Sequence, residues 1–535
     1  MTTLDVRAAA RTHFGHDALL EGQLEAVTGL LEGHDVLLVA PTGAGKSLVY
    51  QLAGRLLDGL TVVVSPLLAL QQDQVEAIEA APTAAGAARL SSAESATQRR
   101  DALERAAAGE VGYLFCSPEM LADPDLRAEL ARLEPALVAV DEAHCVSAWG
   151  HDFRPDYFRL GPHVADLGRP RVVAMTATAA APVREDLVTQ LRLHEPLTVV
   201  TGFARPELTL QVERCHDAAG QHRRTVELAA QSAERGTGIV YCRTRPAAEE
   251  LADELGEQLA ESGRRVAAYH GGLGRRRREE VQQAFMAGDL DVVVATSAFG
   301  MGIDKPDVRW VLHAQAPESP DTYYQEAGRA GRDGEPATAT LLYRPEDLSL
   351  GRFFSAGVPS KADVRRVVDA VREVGSEPSA VVEQVPFGRR KAGRILNLLD
   401  LARVDGAAEG GVDALVAGAV EVAEAHQRLD RSRVEMVRAY AETDRCRADF
   451  LLSYFGERLD APCGQCDTCV AGTAADRVDE RRLAFVPQQR VRHEEFGEGT
   501  VTDAEEDTVT VLFEDVGYRT LAVAVVQEHG LLEPA

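Results

Sequence analysis

Short apolar, β-branched runs alternate with longer amphipathic stretches between residues 35 and 200. The runs read "DVLLV", "TVVVS", "GYLFCS", "ALVAV" and "RVVAMT". Each is too short for a helix and too apolar for an exposed strand, so each predicts a buried strand. Strands that alternate with helical stretches predict a doubly wound parallel sheet. The pattern restarts at "GIVYC" (Gly238–Cys242) and continues through "RVAAY", "DVVVAT", "WVLHAQ" and "ATLLY". That predicts a second α/β domain in tandem, joined to the first near residues 203–208. From about residue 346 to residue 470 the pattern is mainly helical. From about residue 485 short alternating strands return. No solenoid-type repeat and no long low-complexity tract interrupts the chain.

Composition adds limits to this outline. The 535 residues suffice for several domains, and an apolar content of 45% fills real cores. No uncharged apolar run is long enough to span a bilayer. The N-terminal "MTTLDVRAAARTHFGHD" has no secretory core, so a cytoplasmic location and no membrane partner are expected. The net charge is −27, from 57 Lys and Arg against 84 Asp and Glu. Taken alone, that argues against nucleic acid as a partner. A motor needs only one basic track, however, and an acidic excess also limits non-specific binding.

The chemistry begins at "APTGAGKS", which follows a strand and precedes a helix, as a P-loop does. Backbone N–H groups from Thr42, Gly43 and Gly45 onward face the phosphates of a nucleotide. Lys46 reaches the β- and γ-phosphates, and Ser47 ligates Mg²⁺. The first position is Ala40 where the usual pattern has Gly. "ALVAVDEAHC" then delivers Asp141 and Glu142 to the carboxyl end of a strand, where parallel sheets bind ligands. Asp141 is a second Mg²⁺ ligand, and Glu142 orients the attacking water of ATP hydrolysis. In the second domain "YYQEAGRAGRDG" sets Arg329 and Arg332 among glycines, as fingers directed across a cleft at the γ-phosphate. The bland alternatives are a chance Gly-rich turn, a solvated acidic turn and a charged surface loop.

These blocks resemble superfamily-two helicases and, within them, the RecQ DNA helicases. In order they are "APTGAGKS", "VVVSPLLALQQDQV", "LFCSPE", "DEAHCVSAWGHDFRPDY", "AMTATA", "GIVYCRTR", "AAYHGGL", "VVVATSAFGMGIDKPDVRWVLH" and "YYQEAGRAGRDG", covering roughly residues 14–345. The resemblance implies two RecA-like motor domains, 1–202 and 203–348. It implies ATP-driven, 3′-to-5′ translocation on single-stranded DNA, unwinding of tailed duplex DNA, and a place in DNA repair or recombination. It also implies that Gln23 reads the adenine edge and that Gly302 and Asp304 line the interdomain cleft. His144, Thr176 and Thr178 would couple hydrolysis to movement. Ser147–Tyr157 would be an aromatic coupling loop in which Trp149, Phe153 and Tyr157 stack on bases, with Arg154 and His151 between them. Two other readings stay open: an RNA helicase, and an ATP-gated clamp that recruits partners without unwinding.

Cysteine usage points to a metal. Cys116, Cys145, Cys215 and Cys242 are scattered, whereas Cys446, Cys463, Cys466 and Cys469 cluster. Two C-x-x-C steps sharing Cys466, with a fourth thiol upstream, suit a closed tetrahedral Zn²⁺ site. Spacing and the "YFGE" segment are similar to the RecQ zinc motif, here placed at 411–472. A redox pair and an Fe–S cluster are the alternatives.

The chain departs from the family pattern in three places. His16 and Leu20 stand where an aromatic and an Arg are usual near the adenine. Residues 356–410 read as three helices and a Gly-rich turn, a winged-helix-like insertion with Arg389, Arg390, Lys391 and Arg394 facing a duplex backbone, or else a helical bundle with a solvated basic face. Only 66 residues follow Cys469. There "FGEGTVTDAEEDTVTVLFED" is similar to the Tudor-like tail of UvrD/PcrA helicases, which predicts a small SH3-like β-barrel over 484–535. Its partner would be a protein, RNA polymerase or a repair factor, or the barrel would serve stability alone.

Overall fold

The apolar runs form strands because their side chains are covered on both faces. β1 (Val36–Val39), β2 (Thr61–Val64), β4 (Tyr113–Cys116) and β5 (Leu137–Val140) are buried at every position. They join β3 (Ala87–Leu90), β6 (Arg171–Thr176) and β7 (Leu197–Val200) in a seven-stranded sheet of order β3-β4-β2-β5-β6-β1-β7. All its pairings are parallel. This is a computed structural model, and it describes residues 3–66, 68–83, 86–91, 93–147, 157, 159–300, 303–349, 357–375, 378–404, 410–474 and 483–535.

Two strands of this sheet escape the apolar pattern. β3, "AARL", has no β-branched residue, lies at an edge and buries only Ala87 and Leu90 fully. β7, "LTVV", lies at the opposite edge beside β1 and buries only Val199 fully. An edge strand has one neighbour, so its sequence carries a weaker signal.

The second sheet contains β8 (Leu208–Arg214), β9 (Gly238–Tyr241), β10 (Val266–Tyr269), β11 (Val292–Ala295), β12 (Trp310–His313) and β13 (Ala337–Tyr343). Its order is β10-β11-β9-β12-β13-β8, again parallel throughout. β8 is the unanticipated member. It pairs with β13 from Leu208↔Ala337 to Arg214↔Tyr343 at the sheet edge. At the centre β9 and β12 approach so closely that Gly238 faces the Trp310 ring.

The chain divides into two compact units, Met1–Asp347 with Val437–Val478, and Leu348–Met436 with Asp479–Ala535. The first holds both parallel sheets and the cysteine-rich segment. In the second, helices Lys361–Val374, Pro378–Gln384 and Arg389–Val404 share one core with Leu415, Val416, Ala419, Val420 and Ala423 of the helix Gly411–Glu442. The three expected helices are present, and the Gly-rich turn expected of a wing falls largely on residues 405–409, outside the described residues. Among the described residues no strand lies between 357 and 436, and a fourth helix completes the core.

The expected C-terminal strands form a five-stranded antiparallel sheet. Its strands are β14 (Arg490–His493), β15 (Gly497–Ala504), β16 (Thr508–Phe513), β17 (Gly517–Ala522) and β18 (Leu532–Pro534), in the order β17-β16-β15-β14-β18. Val491, Val501, Val509, Val511 and Phe513 make its core. Tyr518 N–H donates to Ser432 Oγ at 3.0 Å, so the sheet leans on the helix Gly411–Glu442 within this unit. No helix among the described residues is long and apolar enough to cross a membrane.

The β9–β12 contact predicts a sharp effect of one methyl group. A Cβ added to Gly238 would fall 1.9 Å from Trp310 Cε2, whereas one added to Gly256 meets nothing within 4 Å. Gly238→Ala is expected to destabilise the chain by at least about 1–3 kcal/mol through overpacking. Gly256→Ala, within a helix, is expected to be neutral or mildly stabilising. Denaturant midpoints of the two variants check the contrast.

Candidate nucleotide site and zinc centre

β1 ends in the loop that precedes the helix Lys46–Leu57. Gly43 and Gly45 adopt φ of +89° and +62°, a left-handed geometry that suits glycine. Gly45 has no room for a side chain, since a Cβ there would meet Gln23 Nε2 at 2.7 Å, whereas one on Gly43 would make van der Waals contact with Arg332 Cγ at 3.4 Å. Gln23 is buried, its Nε2 donates to the carbonyls of Ala44 and Gly45 at 3.1 and 3.0 Å, and its Oε1 accepts from Leu20 N–H at 2.8 Å. Its amide therefore braces the phosphate loop. Leu20 is 54% exposed beside that loop, an apolar surface where the family pattern has a cation.

The loop, the acids and one arginine converge. The Lys46 ammonium donates to the Ala40 and Pro41 carbonyls at 3.0 and 3.3 Å. Burial lowers its pKa, while the carboxylates of Glu142 and Asp141 oppose the drop, and Arg332 and Asp304 also act on it. Asp141 lies at the end of β5, and its carboxylate accepts from Glu142 N–H at 3.0 Å. Burial first, then repulsion from Glu142, pushes Asp141 up to about 7 against the pull of Lys46. A carboxylate so disfavoured beside a phosphate loop suits a divalent cation, which would restore its charge. Asp141 and Ser47 are the residues present to hold Mg²⁺. Glu142 has φ +49°, a strained backbone for a non-glycine residue, which occurs where function demands it.

From Glu142 a polar chain leads away from the loop. His144 Nδ1 lies 3.3 Å from Glu142 Oε2 and 3.0 Å from Thr176 Oγ1. Thr176 Oγ1 donates to the Thr178 carbonyl at 3.1 Å, and Thr178 Oγ1 accepts from Gln325 Nε2 at 3.4 Å. Gln325 belongs to the second sheet's helix Pro320–Ala327, so the chain joins the two sheets. His144, Thr176 and Thr178 are buried.

The two arginines differ. The Arg332 side chain is 7% exposed, pairs with Asp304 and lies against Gly43. Burial, then the charge of Arg329, pushes its pKa down to about 10. Arg329 is buried as well and donates to the Ile303 carbonyl at 3.4 Å.

Of the DNA-facing candidates, Trp149, His151, Phe153 and Arg154 lie outside the described residues, as does Gly302 of the cleft. Tyr157 is described and corrects its expected stacking role. It is fully buried, and its hydroxyl donates to the Asp141 carbonyl at 3.3 Å. In the other unit Lys391 pairs with Asp363 at 2.8 Å and Arg394 donates to the Gly357 carbonyl at 2.6 Å. Arg389 and Arg390 are exposed.

The four clustered cysteines meet as spaced. The Sγ atoms of Cys446, Cys463, Cys466 and Cys469 all lie within 4.8 Å of one another. Cys463–Cys469 and Cys446–Cys466 are each 4.0 Å apart. Zn–S bonds of about 2.3 Å give a tetrahedral edge of about 3.8 Å, so the set fits zinc. Cys463 N–H donates to Cys446 Sγ at 3.2 Å and Cys466 N–H to Cys463 Sγ at 3.4 Å. The hydrogen bond between Cys446 and Cys466 raises the Cys446 thiol and lowers Cys466, and burial raises Cys469, so a metal bound here would displace the protons the set still holds. Asp467 anchors the cluster, accepting from Arg447 Nε at 2.6 Å and from β8 at Val212 N–H at 2.9 Å. The remaining cysteines behave as small core residues: Cys116, Cys145 and Cys242 are buried, and Cys215 is half-buried.

A phosphate loop and paired acids on one parallel sheet, closed by an arginine from a second, define a two-domain nucleotide-driven motor of the helicase class. Comparison with known proteins narrows the class. Residues 21–187 match the DEAD/DEAH box helicase family, 221–334 the helicase conserved C-terminal domain and 400–470 the RecQ zinc-binding family. The chain is 36% identical to the Probable ATP-dependent DNA helicase RecS of Bacillus subtilis (strain 168), over 85% of this chain and 89% of that one. It is 34% identical to the ATP-dependent DNA helicase RecQ of the same organism, over 87% of this chain and 67% of that one. Among solved structures, Mycobacterium smegmatis helicase Lhr bound to ssDNA and AMP-PNP aligns with a TM-score of 0.51 at 25% identity, covering 74% of this chain and 57% of that one. The chain belongs to the RecQ family of helicases.

Metal content tests the zinc centre. One zinc per chain is expected by elemental analysis. Cys466→Ser is expected to lose it and to unfold at a lower temperature, because closing the thiolate set is part of folding that segment. A metal-free Cys466→Ser protein with the wild-type melting temperature would contradict this.

Proposed function

We propose that this chain is an ATP-dependent DNA helicase that translocates 3′ to 5′ on single-stranded DNA and unwinds tailed duplexes in repair or recombination. The observation that carries the reading is Arg332, from the second sheet, lying against Gly43 of the phosphate loop on the first. Residues 1–202 and 203–348 are the two motor halves. Lys46 and the loop N–H groups hold the phosphates, Glu142 orients the attacking water, and Arg332 and Arg329 meet the charge that develops on the γ-phosphoryl group. Ser47 and Asp141 would hold magnesium, which would neutralise phosphate charge. The chain from Glu142 through His144, Thr176 and Thr178 to Gln325 would pass the state of the site to the second half. Trp149, Phe153 and Arg154 are assigned to the DNA track, with bases stacked on the aromatic faces.

Strand displacement tests this reading. The wild-type chain should unwind a 3′-tailed DNA duplex with ATP and leave an RNA-tailed duplex paired. Lys46→Ala should reduce DNA-stimulated phosphate release by at least about 100-fold, since the phosphate-bound cation acts throughout the transfer. Unwinding only of RNA would make it an RNA helicase. ATP-dependent binding without strand separation would make it a clamp.

The C-terminal sheet is assigned to a protein partner, with RNA polymerase or a repair factor as the candidates. Its exposed Glu494, Glu495, Glu498, Glu506, Asp507, Glu514 and Asp515 repel phosphate and suit a basic protein surface. A chain ending at Arg481 should unwind DNA at the full rate and lose capture of purified RNA polymerase. Equal capture by both chains would remove RNA polymerase as the partner.

A further inference from the structure

The arginine pair sits on a loop whose backbone is held from an unexpected place. Arg205 lies in the short segment between β7 and β8, the covalent link between the two sheets. Its Nη1 donates to the Gly328 carbonyl at 3.0 Å and its Nη2 to the Ala330 carbonyl at 2.8 Å. Gly328 and Ala330 flank Arg329. The third nitrogen, Nε, pairs with Glu207. All three guanidinium positions are thereby committed, and the side chain is only 11% exposed.

The link is itself pinned on both sides of Arg205. Phe203 N–H donates to Glu457 Oε2 at 2.8 Å, and the Phe203 carbonyl accepts from Tyr324 Oη at 2.7 Å. The Phe203 ring stacks on Phe455, with centroids 4.9 Å apart and planes 24° from parallel. Beyond Arg205, the Pro206 carbonyl accepts from Gln465 Nε2 at 2.7 Å. Phe455, Glu457 and Gln465 all belong to the cysteine-rich segment. The link is not packed solid against that segment. A hollow of about 270 Å³ remains, lined by Phe203, Arg205, Pro206, Tyr324, Leu451 and Cys463 among others. Named hydrogen bonds and the packing of the buried Phe203 ring against Phe455 and Tyr324 together set its position.

We infer that Arg205 is a positioning residue for Arg329: it fixes the backbone on either side of Arg329, and the zinc-bearing segment fixes the link that carries Arg205. This rests on the proposed ATP hydrolysis and adds a residue to it. The planar fork matters, because two carbonyls are held by one rigid group, which a lysine's single ammonium cannot reproduce. A loop free to shift by an ångström would lose arginine contact as phosphoryl charge develops, while nucleotide binding on the first sheet would be unaffected.

The test is DNA-stimulated ATP hydrolysis by the full chain, with kcat and KM determined separately and zinc content and melting temperature measured alongside. In Arg205→Ala, kcat should fall at least about 10-fold with KM for ATP within about twofold, the signature of an interaction made in the transition state. Arg205→Lys, which keeps the charge and guards against a folding failure, should show a smaller fall in kcat with the same KM. In an Arg329→Ala background, Arg205→Ala should cost no further activity, because the residue it positions is gone. Wild-type kcat in Arg205→Lys, or a kcat loss in Arg205→Ala as large with Arg329 absent as with it present, overturns the assignment. A rise in KM at constant kcat overturns it too. A wild-type chain that does not hydrolyse ATP fails the proposed function itself, and the assignment with it.

Discussion

The contact between Arg332 and Gly43 sets the terms for the rest of the first unit. The aliphatic stem of Arg332 lies over Gly43, where an added Cβ would sit 3.4 Å from its Cγ and 3.8 Å from its Cβ and Cδ, in van der Waals contact. The loop and the arginine come from different sheets, so this contact exists only when both sheets are complete and correctly apposed. The first sheet contributes the carboxyl ends of its strands, where backbone groups and side chains turn toward a ligand; the second contributes a loop beside the amino ends of β12 and β13, held by Gly331 N–H donating to the Val308 carbonyl at 2.9 Å.

That apposition concentrates charge where water is scarce. Lys46, Asp141, Glu142, Arg332 and Asp304 act on one another in one cleft. Asp141 is pushed up to about 7 and Arg332 down to about 10. Both shifts have burial as their leading cause, and in both the charged form is disfavoured. Groups in this condition gain most from a ligand that brings compensating charge, and a nucleotide with its cation brings both signs. The site is thus poised by its own desolvation rather than by any single strong bond.

The zinc-bearing segment joins this scheme through geometry. Asp467 ties it to β8, the edge strand of the second sheet, and Glu457 ties it to the link at Phe203. A closed thiolate cluster is rigid because its four ligands share one centre. Rigidity placed beside the only described covalent link between the sheets constrains how that link moves. In the other unit Lys391 pairs with Asp363 and Arg394 donates to the Gly357 carbonyl.

Much of the molecule was legible in local pattern. Central strands announced themselves because burial on both faces demands continuous apolar, β-branched residues. Edge strands β3, β7 and β8 did not, since half their surroundings are absent or solvent. The phosphate loop, the Asp141–Glu142 pair and the four cysteines were readable because their chemistry needs fixed residue types at short spacing. The family blocks carried the rest of the motor, Arg329 and Arg332 included. Gln23 bracing the loop, Tyr157 buried beneath Asp141, and Arg205 between the Gly328 and Ala330 carbonyls were not readable. Each depends on atoms tens or hundreds of residues apart in sequence. The same limit left the region around Val364 and Ala419 open between a winged helix and a helical bundle, and its core of four helices emerges only in the packing. Residue type and spacing determine which chemistry is available; which partner each side chain finds is decided only when distant segments are packed, because hydrogen bonds and burial act through space.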